Sequence, residues 1–336
     1  MPRKLYVPPP PKSSASRGKR ISAKRPSRAP RRQSAGRPAT LLAVLVVALG
    51  LLAACLVLAL VVPALSSLSD RGRTNLLLLG IDRREGTGWA YRTDTILIVT
   101  VDPASGEAAM LSIPRDLQLP IPGHGEDRIN TANVYGSRED DPGAGPALVK
   151  ETVGANFGIP IDGYLMVDFS TFVKIVDALG GIDVDVPKTL HDTRYPDPKP
   201  GDPYAFKTIH FDPGWQHMDG TRAIEYARSR MSTTDFDRAS RQQLILLAIR
   251  KKALSLGAIP RWPALAAAVM AGVKTDLGPS DMLAMALLAA RIDPATLQQV
   301  VLEHPYVVSY KRADGAAVQL PNWDLINPVI EQLFGP

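Results

Sequence analysis

Cysteine and histidine are scarce in this sequence: Cys55 is the only cysteine among 336 residues, and there are five histidines. A single cysteine excludes a disulfide within the chain and any metal site that needs several thiolates. The histidines show none of the paired spacings that zinc ligands adopt, so a zinc site is not expected. Any metal bound here would therefore be held by oxygen atoms.

Acidic residues are absent from residues 1–40, which carry twelve Lys or Arg and many Pro, Ser and Ala. Because the whole chain has a net charge of +6 and this tail contributes +12, the remainder carries −6. Such a segment buries too little apolar surface to fold, so a disordered tail is predicted. Basic blocks also bind nucleic acid, but next to a membrane segment they more simply set topology and contact anionic lipids. Nucleic acid is therefore not an expected partner.

Charge of either sign is absent from residues 41–65. As a helix this segment would extend roughly 37 Å, enough to cross a bilayer with some tilt. The basic residues before it place the N-terminus in the cytoplasm. A cleaved signal peptide and a lipidated Cys55 are alternatives, but the apolar run is long and continues past Cys55. The sequence thus predicts a single-pass cell-membrane protein: a cytoplasmic tail (1–40), a transmembrane helix (41–65), a linker (66–74) and an extracytoplasmic domain (75–336).

The outer part lacks internal repeats and reads as one large domain in which strand-like and helix-like segments alternate. Several strand-like runs are apolar on both faces, which is typical of central strands covered by helices. This pattern predicts an α/β domain with a buried sheet. Residues 192–204, rich in Pro and Asp, are predicted to form a loop. The predicted strands are 76–79, 96–101, 108–113, 164–169, 182–186 and 300–309, and the predicted helices are 146–157, 170–179, 219–227, 235–255, 261–270, 280–290 and 323–333.

Arginine and aspartate recur in tight pairs, mostly at the edges of these apolar runs. Guanidinium groups match phosphate oxygens in pairs, and carboxylates recruit magnesium, which bridges phosphates. If the fold brings the pairs together, they suit a pyrophosphate and a divalent cation. Taken singly, each pair also fits a solvated turn. The pairs are Asp82 with Arg84, Arg92 with Asp94, Arg115 with Asp116, Arg228 with Arg230, and Asp235 with Arg238.

The spacing within these pairs predicts which of the side chains point in the same direction. Arg92 and Asp94 are two apart at the start of a strand, so they should project to the same face. Arg228 and Arg230 would diverge on a helix and converge only if that helix ends near Ala227. In the next helix, Asp235, Arg238 and Gln242 at i, i+3 and i+7 share one face, which is either part of the site or a solvated surface.

Seven stretches in series resemble the LytR-CpsA-Psr family of membrane-anchored cell-wall glycopolymer ligases. The resemblance covers residues 75–250 and continues more weakly to about residue 290. No one of the motifs would suffice alone. The stretches are GIDRR, RTDT, SIPRD, RINTANVYG, IDGYLMVDFSTFVKIVDALGGIDVDVP, GWQHMDGTRAIEYARSR and DFDRASRQQLIL.

The resemblance implies an α-β-α domain with a central mixed sheet, and it implies roles for individual residues. Asp82 and Asp94 would hold Mg²⁺, and the lipid tail would lie in an apolar groove between sheet and helices. Asp82 or Asp235 would take the acceptor proton, and Arg230 would act in catalysis. The predicted pyrophosphate-binding residues are Arg84, Arg92, Arg115, Arg128, Arg228, Arg230, Arg238 and Gln242.

The implied reaction is the transfer of an anionic glycopolymer from a polyprenyl-pyrophosphate carrier to a peptidoglycan hydroxyl, which forms a phosphodiester. Two alternatives stay open at this point: a hydrolase acting on polyprenyl pyrophosphate, and a membrane-bound regulator of transcription. The polymer could be teichoic acid, capsule, arabinogalactan or another. The 192–204 loop matches nothing in the family pattern and is expected to tune the acceptor.

Overall fold

The computed structural model describes residues 72–83, 88–199, 201–202, 204–229 and 234–335, and for Asp235 it describes the backbone only. The predicted tail, the predicted transmembrane helix and most of the linker lie outside these residues, as do Arg84 and Arg230. Within the described ranges no single helix is long and apolar enough to cross a membrane. One bent pair, Phe236–Ala253 with Leu256–Gly272, passes that test jointly, with an angle of 89° between the two segments.

The described part of the chain is built around a mixed sheet of six strands, in the order β11 (Lys274–Thr275), β6 (Gly163–Asp168), β1 (Thr74–Ile81), β2 (Thr93–Val101), β3 (Ala108–Ser112) and β12 (Gln298–Val301). Strands β1 and β6 are parallel, as are β3 and β12, whereas β2 is antiparallel to both of its neighbours. The strands of the described chain are β1 Thr74–Ile81, β2 Thr93–Val101, β3 Ala108–Ser112, β4 Gln118–Ile121, β5 Gly125–Arg128, β6 Gly163–Asp168, β7 Ile182–Val186, β8 Leu190–Pro196, β9 Phe206–Phe211, β10 Gly214–Met218, β11 Lys274–Thr275, β12 Gln298–Val301, β13 Val307–Lys311 and β14 Ala317–Pro321.

Helices cover both faces of this sheet. In addition to 3₁₀ turns at Ile129–Thr131 and Leu256–Arg261, the described helices are α1 Ala132–Gly136, α2 Ala144–Phe157, α3 Phe169–Ala178, α4 Gly220–Arg228, α5 Asp235–Ala253, α6 Trp262–Gly272, α7 Pro279–Arg291 and α8 Trp323–Phe334.

Alternation along β1 separates the two faces, because successive strand residues point in opposite directions. Leu77, Leu79 and Ile81 are buried and pack in one core with Val149 of α2 and Ile326 of α8. Truncation of one such leucine to alanine typically costs about 2–5 kcal/mol.

The opposite face of β1 carries Leu78 and Gly80, which are only half-buried. Both line a cavity between the sheet and helices α3 and α5, to which Phe172 and Ile245 also contribute. The sheet therefore has one filled face and one face that leaves space for a ligand.

The prediction of an α/β domain around a central mixed sheet is confirmed, but the predictions for two segments are wrong. Residues 192–204 do not form one loop, because residues 190–196 are strand β8, which pairs with β9 in a hairpin. The abundance of Pro and Asp hid the strand, whose buried residues Leu190, Asp192 and Tyr195 include a charged one and do not alternate regularly. Residues 300–309 are not one strand. They divide into β12, which joins the central sheet, and β13, which pairs with β14.

Candidate functional site

Four strands of the sheet end at the same edge, because β1, β3, β6 and β12 all run in one direction. In α/β folds the carboxyl edge of the sheet is where ligands bind. The residues that leave these strands are charged: Asp82 follows β1, Arg115 follows β3, and Asp168 ends β6. Local sequence thus delivers both signs of charge to one edge.

Asp94 reaches this edge through a β-bulge between β1 and β2. Gly80 pairs with Thr95 and Ile81 pairs with Thr93, so Asp94 is the extra residue between two paired positions. Bulges re-aim a side chain and are common beside active sites. Gly80 permits the close approach, since a Cβ there would lie 2.9 Å from the Thr95 Cβ and Oγ1.

The bulge also breaks the alternation expected for Arg92 and Asp94. Asp94 lines the cavity, whereas Arg92 precedes β2, is exposed, and is not among the cavity's lining residues. The prediction that the two side chains share a face assumed a regular strand, and the extra residue removes that condition.

Arg115 and Asp94 form the first ion pair of the site. The Arg115 Nη1 donates to Asp94 Oδ1 at 2.6 Å, and its Nε lies 3.5 Å from Asp116 Oδ2. Arg238, which is 7% exposed, directs Nη2 toward the Asp94 backbone oxygen at 3.4 Å. Two guanidinium groups from distant parts of the chain therefore meet at the bulge.

Arg228 and Asp82 form the second ion pair. Arg228 is the last residue of α4, and its Nη2 donates to Asp82 Oδ2 at 2.6 Å. Its guanidinium lies over the Phe169 ring, 4.6 Å from the centroid, and 5.9 Å from the centroid of Tyr195. Burial raises the pKa of Tyr195, so this phenol stays neutral beside the arginine. Arg228 is thus held between a carboxylate and two aromatic rings.

A buried polar network holds the end of α4. Ser229 caps this helix and donates from Oγ to Asp192 Oδ2 at 2.7 Å. Arg241 of α5 donates to the Ser229 backbone oxygen. All three residues are at most 5% exposed. This network fixes the position from which Arg228 enters the site.

The start of α5 is defined by a capping box. The Thr234 hydroxyl oxygen accepts a hydrogen bond from the Asp237 backbone N–H. In turn, the Asp237 carboxylate accepts one from the Thr234 backbone N–H at 2.9 Å. A hydrogen bond from Lys188, together with those from Thr234, lowers the pKa of Asp237 from its ordinary 3.8 to about 2. The cap starts α5 in the register that turns Arg238 and Gln242 toward the cavity.

Asp168 and Arg83 form a further charged contact at the edge. Burial alone would raise the pKa of Asp168, but hydrogen bonds from Thr171, Ser170 and Arg83 outweigh it and hold the pKa below its usual value. Arg83 Nη2 lies 2.9 Å from Asp168 Oδ2, and its guanidinium stacks 4.0 Å from the Trp89 ring centroid. This pair fixes the chain just after Asp82.

These side chains surround the charged end of a cavity of about 630 Å³. The rest of the cavity is apolar, because rows of sheet residues face apolar residues of α3 and α5. Along α5 the lining changes from Arg238 and Gln242 to Ile245, Leu246 and Ile249. An adjoining cavity of about 210 Å³ shares Asp94, Arg115, Arg238 and Gln242 with the first one and is more polar. The arrangement suits a ligand with an anionic head and a long apolar tail.

The structure brings together Asp82, Asp94, Arg115, Arg228, Arg238 and Gln242, all of which line the large cavity. It does not bring Arg128 there, since the Arg128 Nη2 donates to the Ala317 backbone oxygen at 2.6 Å and its Nε lies 3.6 Å from Asp116. Arg84, Arg230 and the Asp235 side chain lie outside what the structure describes.

Sequence reasoning missed Arg194 and Asp192, which reach the cavity from β8. Because the sequence predicts a loop for this segment, it assigns no face to these two side chains. Arg194 lies within the pairing irregularity of β8 between Asp192 and Tyr195, so the two-residue spacing of Asp192 and Arg194 does not predict that both reach the cavity.

Within the described residues, no group of three or more His, Cys, Asp or Glu side chains is arranged to hold a metal ion. Asp82 and Asp94 are two carboxylates at the cavity mouth, each with one oxygen bound by an arginine. Magnesium usually keeps several waters and is bound by one or two carboxylates together with substrate phosphates. The donor chemistry of this pair fits that requirement, with the substrate supplying further oxygens.

Comparison with known proteins identifies the family. The model of the LytR_cpsA_psr family matches residues 60–333. The chain belongs to this family. Members that resemble it include the polyisoprenyl-teichoic acid–peptidoglycan teichoic acid transferase TagU of Oceanobacillus iheyensis, 32% identical over 210 residues. That match covers 62% of this chain and 60% of the relative, so less than two thirds of the relative's length is matched.

Solved structures of the LytR_cpsA_psr family share the fold. Bacillus subtilis TagV superposes with a TM-score of 0.61 at 26% identity, over 79% of this chain and 98% of that chain. The family protein YwtF (TagT), with bound octaprenyl pyrophosphate lipid, superposes with a TM-score of 0.57 at 25% identity. That match covers 79% of this chain and 92% of the other.

Proposed function

We propose that this protein transfers an anionic glycopolymer from a polyprenyl-pyrophosphate carrier to a hydroxyl of peptidoglycan. We further propose that residues 41–65 anchor it in the cell membrane with the catalytic domain outside. The observation that carries the proposal is the cavity, which is charged at the sheet edge and apolar along α3 and α5. Relatives that are teichoic acid transferases, and the relative that holds an octaprenyl pyrophosphate, support this assignment.

The charged end suits the diphosphate. Arg115, Arg228 and Arg238 approach it from β3, α4 and α5, and guanidinium groups bind phosphate oxygens in pairs. Asp94 and Asp82 hold Arg115 and Arg228 in place through ion pairs. A phosphate that enters takes over these donors with little reorganisation, which is the condition for electrostatic stabilisation of a phosphoryl transition state.

The apolar part suits the prenyl chain. Leu78 and Leu97 of the sheet line this part of the cavity together with Ile245 and Ile249 of α5. A prenyl chain enclosed here is removed from water. The diphosphate attached to it then lies at the end of the cavity where the described lining is charged. The adjoining polar cavity beside Asp94 and Arg115 offers room for a sugar of the donor or acceptor.

The reaction breaks the bond between the transferred phosphorus and the bridging oxygen, and polyprenyl phosphate leaves. The acceptor hydroxyl forms the new bond, and its proton passes to a carboxylate. Asp82, with 43% of its side chain exposed, and Asp235, the first residue of α5, are the two proposed acceptors. No cysteine or histidine is needed, because phosphoryl transfer depends chiefly on positioning and charge stabilisation.

Magnesium is proposed at Asp82 and Asp94. When bound, it would supply Lewis-acid stabilisation of phosphoryl oxygens. Titration with Mn²⁺ monitored by electron paramagnetic resonance tests the site without an activity readout. Asp94→Asn should weaken binding, whereas Asp314→Asn, an exposed aspartate paired with Arg312, should not. Equal binding by both variants would remove Asp94 from the metal site.

The function is tested with purified lipid-linked donor and peptidoglycan, measuring phosphodiester formation. Arg228→Lys keeps the charge but loses the planar fork, so transfer should fall by about 100-fold or more. Arg312→Lys is the matched control, because Arg312 pairs with Asp127 and Asp314 and does not line the cavity. Phosphate release without peptidoglycan at the rate seen with it would instead identify a hydrolase.

A further inference from the structure

Helix α6 is apolar along its whole length yet lies at the surface. Its eleven residues, WPALAAAVMAG, include no charged or hydrogen-bonding side chain other than the Trp262 indole, and none of the eleven is buried. An apolar helix in a water-soluble domain normally buries at least one stripe. This helix therefore exposes a face whose composition suits an apolar environment.

Large apolar side chains next to α6 are exposed as well. Leu256 is 85% exposed and Met270 is 65% exposed, and Leu254, Ile259 and Trp262 are each at least 44% exposed. The Trp262 indole donates to the Ala253 backbone oxygen at 2.9 Å, which joins the start of α6 to the end of α5. We refer to Leu254, Leu256, Ile259, Trp262 and Met270 as the apolar surface. Exposed patches of this kind mark contact with a protein or a membrane.

Along the chain, the residues next to the apolar surface carry charge of one sign, and the acidic group that approaches them from strand β7 is Asp183, 3.9 Å from Lys252 Nζ. Residues 238–275 contain no Asp or Glu, while residues 250–274 contain five Lys or Arg. Lys251 extends over the ring of Trp215, 4.7 Å from the centroid, and Trp215 is 65% exposed. Basic residues that flank exposed Trp and Leu are typical of segments that lie in the interface of an anionic bilayer.

The apolar surface is continuous with the cavity through shared elements. Val269 of α6 and Val273 just after it line the cavity, as do Ile245 and Ile249 of α5. Helices α5 and α6 thus carry the inner apolar wall, and the outer apolar surface lies on α6 and on the connection that joins α5 to α6. A membrane is the occupant that matches both the basic flank and this link to a lipid-sized cavity.

We propose that the apolar surface rests in the headgroup region of an anionic lipid bilayer, with the α5–α6 corner forming the contact. A prenyl chain can then move from the bilayer into the cavity along α6 with little exposure to water. The entry route rests on the proposed function, whereas the bilayer contact does not.

The contact is tested on the full chain in vesicles of phosphatidylcholine and phosphatidylglycerol. In a Cys55→Ser background, Leu256→Cys is labelled with bimane and nitroxide-bearing lipids are added. The label should lose most of its fluorescence, with a blue-shifted emission. Val308→Cys is the matched control, since Val308 is 52% exposed on the β13–β14 hairpin, and its label should keep its fluorescence.

Quenching at residue 256 no greater than at residue 308 would overturn the proposal. Self-quenching that rises with protein density, without quenching by lipid, would also overturn it, because a second copy of the chain would then cover this surface.

The entry route is tested with the double variant Leu256→Glu and Ile259→Glu. Transfer from a long-chain donor embedded in vesicles should slow several-fold, while transfer from a short-chain, water-soluble donor should keep the wild-type rate. Equal rates with both donors, or equal losses with both, would contradict the entry route. If the wild-type chain transfers from neither donor, the proposed function fails, and the bimane readout still decides the bilayer contact.

Discussion

Arg228 donates a 2.6 Å hydrogen bond to Asp82, joining the last residue of α4 to the residue that follows β1, 146 positions earlier. The contact forms at an exposed mouth, so its contribution to stability is small, roughly 1 kcal/mol or less. The contact instead positions the Arg228 guanidinium at the place where the proposed diphosphate binds. The Arg228–Asp82 pair is therefore expected to matter for activity much more than for the stability of the fold.

The Asp82→Asn variant should show that separation. Transfer should fall by about 100-fold, since the carboxylate proposed to bind the metal or take the proton is lost. The free energy of unfolding, measured in urea, should change by no more than about 1 kcal/mol. A variant that unfolds readily but keeps its rate when folded would show that Asp82 is structural.

Filling the cavity should affect long donors selectively. Ile249 lies on the apolar stripe of α5, so Ile249→Trp occupies space assigned to the prenyl chain. The KM for a long-chain donor should rise by about tenfold or more, and the KM for a short-chain donor should stay near wild type. Steady-state kinetics with donors of two chain lengths measures this. The same change in KM for both donors would place the prenyl chain elsewhere.

Ser229→Ala should weaken the buried network behind Arg228. It removes the donor to the Asp192 carboxylate, which is 2% exposed, and should cost about 1–3 kcal/mol in urea unfolding. Ser309→Ala is the control, because Ser309 pairs with Gln319 at the surface, and it should cost about 0.5 kcal/mol or less. Equal costs for both variants would show that the network contributes little to the folded state.

The capping box of α5 should give a pH-dependent contribution to stability. The pKa of Asp237 is lowered from 3.8 to about 2, so its stabilisation is complete above pH 3.8 and disappears as the pH falls through 2. Asp237→Asn should cost about 1 kcal/mol at neutral pH and progressively less in that acid window. Lys188→Met removes the main cause and should raise the Asp237 pKa in an NMR titration. An unchanged pKa in Lys188→Met would contradict the assigned cause.

Most of the central sheet was predictable because β1, β2, β3 and β6 are apolar runs whose ends carry turn or charge signals. Asp94 shows where local reasoning stops. Asp94 lies at the start of a strand, as predicted, but the bulge that separates it from Arg92 depends on pairing between two strands. A single strand considered alone does not encode that register.

Arg128 and Arg194 also show what local sequence cannot predict: Arg128 is predicted in the site but lies elsewhere, whereas Arg194 is not predicted there but lines the cavity. Arg128 lies in a charged motif, yet its guanidinium contacts the start of β14, nearly two hundred residues away in sequence. Arg194 lies in a Pro-rich stretch without a recognised motif, yet the β8–β9 hairpin carries it to the cavity. Both outcomes depend on long-range packing that composition and spacing do not report.

The central claim is that one cavity holds a diphosphate at its charged end and a prenyl chain in its apolar part. The most direct test is the affinity of the purified protein for octaprenyl diphosphate, octaprenyl monophosphate and octaprenol, measured by titration calorimetry in detergent. Each charge-assisted hydrogen bond contributes about 1.5–3 kcal/mol, so the diphosphate should bind about 100-fold more tightly than the alcohol. Arg115→Ala combined with Arg228→Ala should remove most of that difference. Equal affinity of the wild-type protein for all three lipids would contradict the account.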